Sequence, residues 1–309
     1  MSRPPVTIGL PVYNGEKFVR RALDSLLGQT MGDFELIISD NASSDATEQI
    51  CRDYARLDRR IRYYRNATNI GAPRNFNRTF ELADTKYFKW STADDFWGPE
   101  FLELALAVME RNPGVVLCYA RTTIVAEDGS PIEQYEDRLH LTEPSARRRF
   151  TRLVRTIGLC HQHQGVIRSE GLRRTRLLMD HMGSDLNLLA ELTLYGQFYE
   201  LSERLFFRRF HESSSSWARD SVAHQLAFYD PNRAYGIVLH GWRKYTAYLD
   251  AIRRAPIPTR DKAALYRFVC HRMMWDYGRL TTELGVKARI LANRRKIRRS
   301  TRDRVRSTL

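Results

Sequence analysis

Apolar and polar positions along the first 130 residues change period repeatedly, from continuous apolar runs to helical spacing and back. Val6-Thr7-Ile8-Gly9-Leu10 reads as a buried strand, after which Phe18, Val19, Ala22, Leu23, Leu26 and Leu27 recur at helical spacing until Gly28 and Gln29 weaken the pattern. A strand over Phe34–Ser39 follows, then a helix carrying Ile50, Tyr54 and Leu57 with Ser43 or Ser44 as its N-cap, and a short strand over Ile61–Tyr64. A helix from about Pro73 to Ala83 leads into a strand over Lys86–Thr92. A helix from Pro99 to Arg111 precedes the β-rich run Val115–Ala126, closed by the Asp128-Gly129 turn. Alternation of this kind predicts an α/β fold with a mainly parallel, doubly wound sheet.

The stretch from about Gln134 to His211 is less regular, and Arg147, Arg148 and Arg149 interrupt it. A helix near Ser145 to Gly158, a strand over Gln164–Arg168, a helix from about Asp185 to Tyr195 and a strand across Tyr199 to Phe210 are expected to finish the sheet and wall a cleft. Ser213–Ser216 is the only low-complexity piece, and there is no internal repeat. Beyond Asp220 the strand signals stop; Tyr235–Leu249 and Ala263–Leu284 show helical apolar spacing with many aromatics. Two units are therefore expected: a sheet-bearing domain over residues 1–219, with halves at 1–130 and 131–219, and a helical C-terminal region over 220–309.

A chain of 309 residues, 43% hydrophobic and 28% charged, is long enough for one large domain with an appendage, burying roughly three quarters of its unfolded surface. Cys51, Cys118, Cys160 and Cys270 are scattered, which indicates neither a zinc knuckle nor a disulfide framework and fits a reduced, cytoplasmic setting. No N-terminal run resembles a signal peptide and no stretch approaches a membrane span, so a soluble or peripheral protein is expected. The net charge of +14 changes that picture because it is uneven: Val286 to Leu309 holds ten Lys or Arg against one acid, Asp303. Such a tail seeks polyanions, and an anionic membrane surface and nucleic acid both satisfy it on electrostatics alone.

The candidate chemistry lies at strand ends. Asp94 and Asp95 stand where the strand over Lys86–Thr92 runs out, and Asp40 ends the strand over Phe34–Ser39 in the same way. In an open α/β sheet ligands bind outside the carboxyl ends of the strands, so three carboxylates point at one cleft. They repel one another unless a cation or hydrogen-bond donors compensate, and hard oxygen ligands suit Mg²⁺ or Mn²⁺ carried by a phosphate-bearing substrate.

Four segments resemble the family 2 glycosyltransferases, which share an A-type nucleotide-sugar-binding fold. They are Pro11-Val12-Tyr13-Asn14-Gly15-Glu16, Ser39-Asp40-Asn41-Ala42-Ser43-Ser44-Asp45, Asn69-Ile70-Gly71-Ala72-Pro73-Arg74-Asn75 and Thr92-Ala93-Asp94-Asp95. Each is weak alone; four in order over about 95 residues, each on a fitting element, are specific. The likeness extends more loosely to about residue 216 and does not cover the helical end. It implies a nucleotide site made by Pro11, Val12, Tyr13, Glu16, Asp40, Asn69, Arg74, Thr92, Ala93 and Asp94, in which Asp40 accepts from a base N–H and Arg74 holds the pocket or the phosphates. Turn capping is the plainer role for Asp40, and a surface ion pair for Arg74.

By the same resemblance Asp94 holds a divalent ion against the diphosphate, with His211, in Arg208-Arg209-Phe210-His211-Glu212, approaching the same ion. The first acid of the family's Asp-x-Asp pattern falls on Thr92, which brings no charge to a metal and gives Asp95 a larger expected part. Met182-Gly183-Ser184-Asp185 resembles the family's acidic pair before a helix, with Ser184 replacing the first acid, which implies Asp185 as the general base of an inverting transfer. Trp97 is placed to stack on a sugar face or to fill the core or rim, and His161 and His163, two apart, are expected on one face of a strand.

The expected function is thus transfer of a sugar, from a UDP-sugar first, to a glycan, glycolipid or small hydroxylated acceptor, with residues 286–309 resting on the inner face of the plasma membrane. A sugar-1-phosphate nucleotidyltransferase would need a Gly-rich, basic phosphate loop after the first strand, where only Gly15 and Lys17 stand. A nucleic-acid-binding protein would exploit the basic surplus, but no groove-reading or base-stacking motif accompanies it, so nucleic acid is not an expected partner.

Overall fold

The computed structural model describes residues 3–211, 228–229 and 239–289. Ser213–Ser216, the boundary expected at 219, the first turn of the helix expected from Tyr235, and the basic tail beyond Arg289 lie outside them.

The first third of the chain winds as its periodicity predicts. Strands β1 (Val6–Val12), β2 (Phe34–Asp40), β3 (Ile61–Arg65) and β4 (Tyr87–Trp90) alternate with helices α1 (Val19–Leu27), α2 (Thr47–Leu57) and α3 (Ala72–Glu81). All four strands are parallel, in the order β3-β2-β1-β4, and every residue of β1 is buried because helices cover both faces. Val19, Ala22, Leu23 and Leu26 form the buried stripe of α1. The chain crosses from β2 on one side of β1 to β4 on the other, so the β1 C-terminus is a topological switch point, where a cleft opens.

Beyond Trp90 the sheet becomes mixed. There follow β5 (Phe96–Trp97), α4 (Phe101–Arg111), β6 (Val115–Val125), β7 (Pro131–Tyr135), α5 (Ala146–Thr156), a 3₁₀ turn (His161–Gln164), β8 (Val166–Arg168), α6 (Ser169–Arg173), α7 (Ser184–Leu192) and β9 (Gln197–Arg209). The full order is β3-β2-β1-β4-β8-β6-β9-β5, with β7 on β6; β8 is antiparallel to β4 and β6, while β9 runs parallel to β6. Strand β5 and the 3₁₀ turn are too short to carry a period, and β7 is mostly exposed with no apolar face to announce it. His161 and His163 consequently sit in the turn and not on a strand, which starts only at Val166.

Helices α8 (His240–Arg254) and α9 (Thr259–Trp275), with a further helix over 277–289, form the C-terminal region. Tyr245, Tyr248, Ile252, Leu265, Val269 and Leu280 share one core with Phe150 and Leu153 of α5 and Leu188 and Leu189 of α7. This region is therefore packed onto the sheet domain and not merely appended to it.

Close approach in the first half depends on Gly9. A Cβ there would meet the Thr79 side chain of α3 and stand 2.6 Å from Phe88 Cζ of β4. Gly9→Ala should lower stability by about 1–3 kcal/mol through overpacking, read as a lower urea midpoint with an unchanged slope. An unchanged midpoint would contradict this packing.

Candidate active site

The loops leaving the C-terminal ends of β1 and β2 are laced together. Asn14, at φ 48°, donates its N–H to Ser43 Oγ (2.9 Å) and accepts the Ser44 N–H on Oδ1 (2.9 Å). The Gly15 N–H donates to Thr47 Oγ1 (2.8 Å), and Glu16 accepts the Ala46 N–H (2.8 Å). Pro11 and Val12 are buried in β1, so they support the loop and do not face a nucleotide; Tyr13, half exposed, is the side chain this loop offers at the mouth. Glu16 is spent on the adjoining loop, and Ala93 packs against the first core.

Asp40 has no exposed surface, and its oxygens accept from the Ser43 N–H (2.9 Å), Tyr63 OH (2.7 Å) and Arg65 Nη1 (2.6 Å). The direct base contact implied for it therefore requires Tyr63 or Arg65 to give way; in this arrangement Asp40 pins β3 to the turn after β2. Beside it, Asn41 accepts from the Ile70 N–H and the Asn66 amide and donates to Asn69 Oδ1, while Ser39 donates to Asn75. This amide network, of which the sequence reading singled out only Asn69, holds the loop before α3 against β2. Arg74 pairs with Asp180 at 2.9 Å and so ties the start of α3 to the loop preceding α7.

The two acids after β4 part company. Asp94 keeps about a third of its side chain exposed and accepts from His211 Nε2 at 3.1 Å. Burial pushes its carboxyl up, but the His211 hydrogen bond and charge prevail and hold it below the ordinary range. Asp95, 4% exposed, accepts the Arg209 N–H (2.8 Å), the Thr92 hydroxyl (2.5 Å) and the Gln164 amide (3.2 Å). Burial, then the neighbouring Asp94 charge, push Asp95 up to about 7. Asp95 is thus an inward anchor, which corrects the larger ligand part expected of it, and Thr92 is engaged with Asp95 instead of standing ready for a ribose.

Trp97 takes the core setting, one of the two expected for it. It is 5% exposed, stacked on Phe206 at 4.5 Å and packed on Phe101 at 4.4 Å, with its Nε1–H donated to Ser91; no ring face is left for a sugar. Lys89 Nζ lies 3.2 Å from the Trp97 ring centroid and donates to the carbonyls of Trp90 (2.9 Å) and Gln164 (3.0 Å). Burial drives its pKa well below the usual lysine value. A lysine within an apolar strand was the visible signal of this fixed cation, whereas nothing local marked Gln164.

Asp185 lies in the first turn of α7. The N-cap is Gly183 (φ 79°), so Asp185 is not the cap, and its side chain is partly exposed. His163 lies within reach of the Asp185 charge and hydrogen-bonds through Nδ1 to the Cys160 carbonyl at 2.6 Å, which leaves Nε2 as its acceptor nitrogen. Burial lowers the His163 pKa against the raising effect of Asp185. His161 is instead buried beside Asp137.

Among the described residues no group of three or more His, Cys, Asp or Glu side chains is placed to hold a metal alone. A divalent ion held by Asp94 and His211 would take its remaining oxygens from a diphosphate and water.

A mixed sheet flanked by helices, with acids at its switch point, is the arrangement of an A-type glycosyltransferase fold. Residues 7–175, more than half of the chain, match Glycosyl transferase family 2, and the chain belongs to that family. It is 29% identical over 138 residues to the uncharacterized glycosyltransferase MJ1057 of Methanocaldococcus jannaschii, covering 44% of this chain and 48% of that protein. The match spans about half the length of the curated relatives. The crystal structure of S. aureus TarS 1–349 in complex with UDP-GlcNAc superposes with TM-score 0.62 at 17% identity, covering 87% of this chain and 72% of that one. The mannosyltransferase PcManGT from Pyrobaculum calidifontis, in complex with GDP-Man and Mn²⁺, gives TM-score 0.51 at 16% identity, covering 92% and 85%. At these identities the likeness establishes a shared fold.

The raised pKa of Asp95 carries a sign. Between the ordinary carboxylate range and about 7 the folded chain binds a proton that the unfolded chain releases, so this group's stabilising effect is lost as pH rises through 7. Asp95→Asn removes that loss. In metal-free buffer its melting temperature relative to wild type should climb between pH 5 and 8, by an amount on the order of 2 kcal/mol of stability. A difference that stays flat with pH would refute the assignment.

Proposed function

We propose that the chain is an inverting transferase that moves a sugar from a nucleoside diphosphate sugar, a UDP-sugar first, to the hydroxyl of a glycan, glycolipid or small acceptor in cell-surface glycan synthesis. The observation that carries this reading is the Asp94–His211 pair after β4, whose neighbour Asp95 holds Gln164 of the 3₁₀ turn, the same turn that brings His163 within reach of the Asp185 charge. Residues 1–130 serve as the donor half and the part of 131–219 that is described as the acceptor half. The UDP-GlcNAc held by TarS and the GDP-Man and Mn²⁺ held by PcManGT support a nucleotide-sugar donor and leave two bases to test.

In this mechanism Tyr13 and the amide network from Asn41 to Asn75 border the base and ribose, and Arg74, already at the α3 start, binds or closes over the phosphates. Asp94 and His211 would hold Mg²⁺ or Mn²⁺, which would supply the positive charge that a departing diphosphate needs. Asp185 takes the acceptor hydroxyl proton while that oxygen attacks the anomeric carbon. The bond to the diphosphate oxygen breaks with its electron pair, and attack from the opposite face inverts the centre. A screen of UDP- and GDP-sugars with Mn²⁺, read as nucleoside diphosphate release, tests the function. Release of pyrophosphate from a nucleoside triphosphate and a sugar 1-phosphate, with no turnover of sugar nucleotides, would instead identify a nucleotidyltransferase.

Asp94→Ala should abolish Mn²⁺-dependent UDP binding in calorimetric titration while leaving the fold intact, since a partly exposed cleft carboxylate contributes little to stability. Unchanged metal-dependent affinity would sink the metal assignment. Asp185→Asn should retain donor binding and lose transfer by about 10²–10⁴-fold. If transfer stays within a few-fold of wild type, the base lies elsewhere, and His163 Nε2 is the next group to test.

A further inference from the structure

We infer that the outer face of α9 and of the helix over 277–289 is a docking surface for an anionic membrane, the partner class being a lipid bilayer and not a protein. Eight large hydrophobic residues are exposed among the described residues, and five of them fall between positions 274 and 286: Met274 (72%), Trp275 (78%), Tyr277 (68%), Leu284 (43%) and Val286 (45%). Cys270, Met274, Tyr277 and Leu284 are all exposed and recur at helical spacing, so the face is a stripe and not a scatter. A concentration of this kind marks an interaction site.

The opposite face of the same helices is already satisfied. Leu265, Val269 and Leu280 are buried in the second core. Asp276 accepts from Tyr245 OH (2.6 Å) and Lys244 Nζ (3.2 Å), Glu283 accepts the Gly241 N–H (2.9 Å), and Trp242 Nε1 donates to the Leu280 carbonyl (3.0 Å). These contacts fix the orientation, so the apolar stripe cannot turn inward.

Charge selects the occupant. From Lys262 to Arg289 the only acids are Asp276 and Glu283, both turned toward α8, whereas Arg267, Arg272, Arg279, Lys287 and Arg289 are exposed. A second copy of the chain would set these cations against one another. Duplex nucleic acid would use the cations and leave the Trp275, Met274 and Tyr277 side chains in water, and stacked single-strand bases would leave Met274, Leu284 and Val286 uncovered. An anionic bilayer uses both: the aromatic and thioether side chains enter the interface while the cations meet the headgroups. Beyond Arg289 the sequence adds eight further Lys or Arg against one acid, Asp303.

The placement also has a consequence for the acceptor, which rests on the function proposed above. The start of α8, against which residues 276–283 pack, contacts the loop beside the candidate base: the Met182 N–H donates to His240 Nδ1 (3.1 Å), Arg243 Nη1 donates to the Asp180 carbonyl (2.9 Å), and Asn187 Nδ2 donates to the Lys244 carbonyl (3.0 Å). One helix thus separates the bilayer-facing surface from Asp185, which suits an acceptor hydroxyl carried on a lipid.

The test is co-sedimentation of the full chain with phosphatidylcholine vesicles, with and without phosphatidylglycerol, alongside the combined variant Met274→Ser, Trp275→Ser, Tyr277→Ser. Wild type should bind the anionic vesicles in a salt-sensitive way, and the variant should lose at least about tenfold in affinity. Its thermal midpoint and its turnover of sugar nucleotide in solution should not change. Three results would overturn the inference: equal vesicle binding by both proteins, no vesicle binding by wild type, or a wild-type dimer in solution that the variant abolishes. Solution turnover is read separately, so a failure of the transferase function is distinguishable from a failure of membrane docking.

Discussion

A single buried carboxylate determines where the candidate site can form. Asp95 has almost no exposed surface, and a charge-bearing group in that position must find donors. It finds them on three separate segments: the Thr92 hydroxyl before it, the Gln164 amide at the end of the 3₁₀ turn, and the backbone N–H of Arg209 at the end of β9. Fixing Arg209 fixes His211 two residues later, and His211 then meets Asp94. Two adjacent carboxyls cannot both hold charge cheaply, so the proton resides on Asp95, pushed up to about 7, while the charge resides on Asp94.

A buried lysine supports the same turn from β4. Lys89 is fully enclosed on β4, and its ammonium is compensated by two carbonyls and the face of Trp97. One of those carbonyls belongs to Gln164, so the lysine holds the same turn that Asp95 grips through the Gln164 side chain. That turn carries His163 into range of Asp185, and the Arg74–Asp180 ion pair spans from α3 to the loop before α7. The acceptor-side carboxylate is therefore coupled by contacts to the strand ends that bear Asp94.

The parallel half of the fold was legible because its strands are buried on both faces and its helices bury one stripe, so period alone distinguishes them. In the mixed half α5, β8, α7 and β9 fell close to where they were expected, but β5, the 3₁₀ turn and β7 were not legible: the first two are shorter than any period, and β7 has no buried face. At the site, the positions of Asp94, His211 and Asp185 could be anticipated from local motifs on strand and helix ends. The different fates of Asp94 and Asp95 could not, because which one points inward is decided by Arg209, more than a hundred residues away. The choice between the two settings expected for Trp97 was undecided for the same reason, its surroundings being supplied by Phe206 and by the enclosed Lys89. Lys89 itself was readable in principle, since a cation inside an apolar strand requires a partner.

In the function proposed above, Asp94 and His211 together, and not Asp95, would receive the divalent ion. A crystal structure of the protein with UDP and Mn²⁺, with the ion located by its anomalous scattering, tests this directly. The expected result is a single peak at bonding distance from Asp94 and His211 and from the diphosphate, with Asp95 still bound to the Arg209 N–H. A peak coordinated by Asp95, or one that touches neither Asp94 nor His211, would contradict it.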